Sequence, residues 1–169
     1  YFIQYNSCKE DPDLPMVQFV QQVEADLESG GYQNIIIDLR YNSGGNSEVI
    51  RLLEKALFFH SFNVDNVQFY ILIGGRTSAT IAATDFKKTT IGNSIFVGQP
   101  TGGVLKCAGD VLPLFMENTP IAMQYSTKYF DLLYGVEGPL EPDYTVPQPF
   151  AQYAKGEDAE IAYLYENLL

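Results

Sequence analysis

Apolar residues recur along this chain in two rhythms, and the switch between them outlines its elements. Short, mostly apolar runs appear at "YFIQY" (1–5), "NIIIDL" (34–39), "VQFYILI" (67–73) and "SIFVG" (94–98). Such runs are expected of strands, and the most apolar of them of strands covered on both faces. Between them the spacing changes to three and four. In "DPDLPMVQFVQQVEADLESGGY", Met16, Phe19, Val20, Val23 and Leu27 repeat at helical spacing, and Gly30-Gly31 ends the helix. "NSEVIRLLEKALFF" predicts a second helix with Asn46 or Ser47 as its N-cap. "TSATIAATDFKK" predicts a third, with small residues at its start. Past Gly103 the texture changes again. "DVLPLFMENTPIAMQYSTKYF" alternates loosely and predicts a β-hairpin turning at Glu117-Asn118. "GPLEPDYTVPQPF" is expected to cross the surface in extended form, and "DAEIAYLYENLL" closes the chain with a helix.

Strand–helix alternation followed by a hairpin predicts an α/β fold: a mostly parallel sheet wrapped by helices, with a β-hairpin near the C-terminal third. The 169 residues suit one domain spanning 1–169. A chain of this size buries about 70% of its unfolded surface, so it needs no disulfide or metal staple. It opens at Tyr1 inside a strand pattern. A fragment lacking its N-terminal part is therefore expected, and missing targeting signals carry no information.

Charge narrows the partners. A net charge of −11 repels phosphate backbones, which argues against nucleic acid. No stretch approaches the ~20 apolar residues of a membrane span. Cys8 and Cys107 are too few for a disulfide framework and match no zinc spacing. Two free thiols are the simpler expectation, with a single bridge between them left open. His60 is the only histidine, which excludes a zinc site built on several. At the end of an apolar helix it is expected to pack or cap. No cofactor and no metal are expected.

The chemistry concentrates where strands end. Asp38 to Asn46, Gly74 to Thr80 and Gly98 to Gly103 are glycine-bearing loops at such ends. Ligands of open α/β sheets bind outside the carboxyl ends of the strands, so the three loops should converge on one pocket. "GQPTGGVLK" breaks the GxxxxGK[ST] spacing and "LRYNSGGN" lacks GxGxxG, so neither reads as a phosphate loop. Acyl transfer requires a nucleophile, a base and N–H donors aimed at an oxyanion. "GGRTSATIA" places Thr77, Ser78 and Thr80 at a strand-to-helix turn. A hydroxyl there gains from the helix N-terminus, and serves equally as an ordinary cap. Gly44 and Gly45 would let the backbone approach a substrate carbonyl without a Cβ in the way. Asp38 and Arg40 stand two apart and share one face of a strand, as a loop scaffold or as a surface ion pair.

At "IIIDLRYNSGGN", "ILIGGRTSATIAATDFKK", "SIFVGQPTGG" and "LEPDYTV", in that order and over nearly the whole chain, the sequence resembles the tail-specific (C-terminal processing) serine peptidases, family S41. It is most similar to the branch with "YNSC" near the start of the core and "YSTKYF" further on. The resemblance implies a crotonase/ClpP-like core that cleaves peptide bonds through a serine acyl-enzyme. It also implies an extended peptide or protein substrate bound as a strand, and an extracytoplasmic location. "DLRYNSGGN" corresponds to the family's oxyanion loop. That maps Gly44 and Gly45 to the donors, with Asp38, Arg40 and Asn42 holding the loop in shape.

The nucleophile position divides. Ser78 is the only serine in "GGRTSATIA". Counting from "YILI", or back from "GQPTGG", the family serine falls at Ala79, which has no attacking atom. Three alternatives stay open: Ser78 is the nucleophile in a register slipped by one, the chain is a natural inactive relative, or it is an engineered serine-to-alanine variant. The typical lysine position reads Val104. Lys106 and Lys128 are the candidate bases, and a lysine serves only if burial drops its pKa toward neutrality. Tyr125, Tyr129 and Phe130 could exclude water around Lys128. Glu137 is a further acid candidate, and Cys107 stands where the branch often has histidine. Tyr5, Asn6 and Cys8 of "YNSC" could line the pocket. The alternative functions are a non-catalytic binder of peptides or apolar ligands, and a crotonase-like acyl-CoA enzyme, which lacks basic residues near its glycine loops.

Overall fold

A computed structural model describes residues 1–78, 80–90 and 93–169. The elements run β1 (Phe2–Gln4), α1 (Met16–Gly30), β2 (Asn34–Asp38), α2 (Arg51–Asn63), β3 (Gln68–Ile73), α3 (Thr80–Thr89), β4 (Ser94–Gly98), β5 (Lys106–Phe115), β6 (Ala122–Asp131), β7 (Tyr144–Thr145), α4 (Phe150–Tyr153) and α5 (Ala159–Asn167). Five strands form one parallel sheet in the order β1-β2-β3-β4-β7. β5 and β6 form a separate antiparallel ribbon. The fold is thus α/β, a mostly parallel sheet flanked by helices with a hairpin late in the chain.

Period-two alternation splits the core. Ile35, Ile37, Phe69 and Ile71 face α1, α2 and α3, meeting Val23, Leu27, Leu53, Leu57 and Phe86. Ile36, Tyr70, Leu72 and Val97 face the other way, onto Val146 and Leu164 of α5. A side chain alternates between the two faces of a strand, so an unbroken isoleucine run fills both layers at once. Consecutive parallel strands with same-handed crossovers put all three early helices on one side. α1 buries Met16, Val20, Val23 and Leu27 and ends at Gly31, whose left-handed φ of 56° lets its N–H reach Leu27 O.

Two details depart from the sequence reading. α2 starts at Arg51 rather than at Asn46 or Ser47, because the Asn46 side chain closes a turn by accepting the Glu48 N–H at 3.0 Å. The proline-rich segment does more than cross the surface. It adds β7 to the sheet edge, where Asp143 both donates its N–H to Phe96 O and accepts the Phe96 N–H on its carboxylate, each at 2.8 Å. Cys8 is buried and Cys107 half-buried, and both are free thiols. His60 packs as expected, with Nε2 2.8 Å from Tyr32 O.

Candidate active site

The loop after β2 is organised by Asn42, which is fully buried. Its Nδ2 donates to Tyr5 O at 2.8 Å, and its Oδ1 accepts the Gly44 N–H at 2.8 Å. The Cys8 thiol lies 3.6 Å from the same Oδ1. The Asn42 main-chain carbonyl accepts the Ser78 N–H at 2.9 Å, which fixes the start of the third helix against the glycine loop. "YNSC" runs alongside: Asn6 O accepts Ser43 N–H, Cys8 N–H donates to Gly44 O, and Asn46 N–H donates to Cys8 O.

These segments enclose a cavity of about 160 Å³ lined by Cys8, Ser43, Gly44, Gly45, Ser47, Ser78, Ile81 and Ala82. A Cβ built on Gly44 would lie 3.3 Å from Ser78 Oγ, so the hydroxyl looks directly onto the loop. Gly44 and Gly45 both hold positive φ, 87° and 131°. Their roles differ from the expectation. The Gly44 N–H is already committed to Asn42, and the space that Gly45 leaves is filled by the carbonyl of Cys8. Among the described residues, the Gly45 N–H has no acceptor, a state it shares in this loop with the Tyr41 N–H. Ala79 lies outside the described residues.

Thr77 is a brace and not a reactive hydroxyl. It is buried, donates to Leu39 O at 2.9 Å and accepts the Gly74 N–H at 2.9 Å. Thr80 Oγ1 is buried without a hydrogen-bond partner among the described residues, and it abuts Gly103. The third loop therefore packs on the second: Gly102 approaches the Gly75 carbonyl and Gly103 the Thr80 hydroxyl. None of its residues lines the Ser78 cavity. Gln99 instead joins Arg40, Tyr41 and Gly74 to Arg76 in a larger hollow of about 360 Å³, closed by residues 148–160. The three loops meet, but they border two cavities rather than one.

Asp38 and Arg40 form a buried anchor and not a surface pair. Arg40 donates to both Asp38 carboxylate oxygens at 3.0 and 2.7 Å, to both Asp158 oxygens at 2.8 Å, and to Glu160 at 3.0 Å. Burial alone would ease loss of the Arg40 proton, but Asp38 and Asp158 hold it firmly charged. Burial likewise opposes ionisation of Asp158, yet Arg40 and the Ile161 N–H keep its pKa below the usual carboxylate value.

The expected bases are elsewhere engaged. Lys106 and Glu137 pair with each other at 3.0 Å, and the bond to Glu137 raises the lysine pKa. Lys128 pairs with Asp110 at 2.6 Å and is 64% exposed. Its pKa is raised, first by the hydrogen bond to Asp110. The aromatic shield expected around it does not form, because Tyr125 and Tyr129 alternate onto the opposite face of β6 and Phe130 packs against the core. Sequence reasoning missed Glu54 of α2. It is buried, with Oε1 unpartnered among the described residues, and its pKa is pushed up to about 7 by burial and then by Asp85. Its field reaches Cys8 and Tyr5, and burial pushes the Cys8 thiol up, so the sulfur stays protonated. A glutamate inside an apolar helix repeat was the available signal.

No family model matches the chain, and no curated protein matches it. Solved structures do. A candidate S41 protease from Bacteroides fragilis is 15% identical, with a TM-score of 0.64 over 98% of this chain and 54% of that one. The tricorn protease is 19% identical, with a TM-score of 0.65 over 99% of this chain and 17% of that one. The photosystem II D1 C-terminal processing protease is 13% identical, with a TM-score of 0.52 over 94% of this chain and 47% of that one. The chain thus has the S41-like peptidase fold and spans about half or less of the length of these three neighbours. No helix among the described residues is long and apolar enough to cross a membrane.

Proposed function

We propose that residues 1–169 are the catalytic core of a serine-type endopeptidase. It acts on an extended peptide laid as a strand beside the loop at 42–46, in an extracytoplasmic setting. The observation that carries this reading is the Ser78 hydroxyl facing Gly44 across a cavity that also borders Gly45. In this reading Ser78 attacks the scissile carbonyl carbon and its proton passes to a base. The oxyanion accepts the Gly45 N–H. Its collapse breaks the C–N bond, the amine leaves with the proton held by the base, and water then hydrolyses the ester, freeing the acid and the Ser78 hydroxyl. Lys128 serves as that base only once its pair with Asp110 is broken and water is excluded, since a lysine must lose its proton first. The register of the resembling peptidases supports a nucleophile at position 79 instead, where alanine leaves a core that holds a peptide without cutting it.

The second reading, a non-catalytic binder of peptides or apolar ligands, is favoured by the ion pairs that keep Lys106 and Lys128 protonated. Labelling with a fluorophosphonate probe separates the readings. Labelling of the chain that disappears in Ser78→Ala assigns the nucleophile to Ser78. A chain that resists the probe but reacts as Ala79→Ser assigns the site to position 79. A chain inert in both forms, which holds a peptide intact through long incubation, is a binder.

A further inference from the structure

The β5–β6 ribbon departs from the rest of the molecule. Leu112 pairs with Tyr125 and Leu114 with Met123, so these four side chains share one face, which Met116 and Ile121 extend at the turn. All six are 45–53% exposed. Exposure near half is what a ribbon gives when neighbours cover each side chain's flanks and nothing covers its top. A two-stranded ribbon is marginal in water on its own, and contiguous apolar patches of this kind mark interaction surfaces.

The charge distribution identifies the occupant. The chain carries a net −11, yet residues 111–126 hold a single charged side chain, Glu117. Two copies of so acidic a chain repel each other on average, and least where a face carries few charges. Here the two surfaces are nearly neutral and mutually apolar, and a two-fold axis would lay Leu112, Leu114, Met123 and Tyr125 of one copy on the same residues of the other. At roughly 80–100 Å² apiece, six such side chains remove ~500–600 Å² per copy, the lower end of a stable interface. We propose that this face is a self-association surface, on which a second copy of the chain packs ribbon against ribbon.

Sedimentation of the 169-residue chain from ~1 to ~100 µM tests this, since an interface of that size should hold in the micromolar range. The wild type is expected at twice the chain mass by ~10 µM. Met123→Arg should raise the dissociation constant ~100-fold or more by burying an unpaired charge. Gln124→Arg, which pairs with Pro113 on the opposite face, should leave it unchanged. Amide exchange in β5 and β6 of the wild type should slow as concentration rises, a readout that needs no variant. A wild type of single mass throughout overturns the proposal, whether the face stays bare or awaits a different partner. So does a Met123→Arg dimer of undiminished strength, dissociation by Gln124→Arg to the same degree, or exchange that ignores concentration.

Discussion

The two loops that end in paired glycines, 42–46 after β2 and 98–103 after β4, look alike in the sequence and do different work. In the second, Gly102 and Gly103 are small because Gly75 and Thr80 of the same chain press against them. In the first, the task is divided within one dipeptide. Gly45 makes room for the Cys8 carbonyl, while Gly44 faces the Ser78 hydroxyl across the cavity. A glycine pair therefore marks close approach, and whether chain or ligand approaches depends on segments far away in sequence.

Substitution can break that comparison. The largest effect is expected at Gly45→Ala and Gly102→Ala, where the new Cβ overlaps a carbonyl of the chain itself. Each should cost ~3 kcal/mol or more, read as a fall in the denaturation midpoint. If either variant is as stable as the wild type, the close-packing account of that glycine is wrong. A smaller effect separates the first loop by pH, because Cys8 lies in the field of Glu54. Glu54 has a raised carboxyl pKa, so the folded chain keeps a proton that the unfolded chain releases. Stability contributed this way is full below about 4.5 and is lost as pH rises through about 7. Glu54→Gln should flatten that slope and be more stable than the wild type by ~1–3 kcal/mol above pH ~8, measured by urea denaturation across pH. A wild-type profile with no decline over this range would refute it. The smallest effect is expected at Gly44→Ala. The added methyl meets only the Ser78 side chain, and the positive φ adds strain, so ~1–2 kcal/mol is expected by the same assay, well short of Gly45→Ala.

Much of this fold was legible because burial writes itself into local pattern. Ile35 to Ile37 had to be a doubly covered strand, and Met16, Val20, Val23 and Leu27 had to lie on one side of a helix. The Ser78 turn and the Asn42 loop were legible as neighbours through their motifs and their place at strand ends. What stayed hidden depended on partners distant in sequence. Nothing around Lys106 announces Glu137, and the aromatic residues beside Lys128 mislead because adjacent strand positions point to opposite faces. The two residues of β7 are too few to show a period. Asn46 read as a helix cap because the same side-chain geometry that caps a helix also closes the turn before one.

Arg40 ties the strand that carries the first glycine loop to Asp158, 118 residues later in the chain. At ~5–20 residues per second, a ribosome needs roughly 6–24 s to add that stretch. Throughout that interval the nascent guanidinium has Asp38 alone to balance it. The loop that shapes the Ser78 cavity therefore reaches its final form only after α5 has been made, when Asp158 and Glu160 complete the carboxylate shell around Arg40.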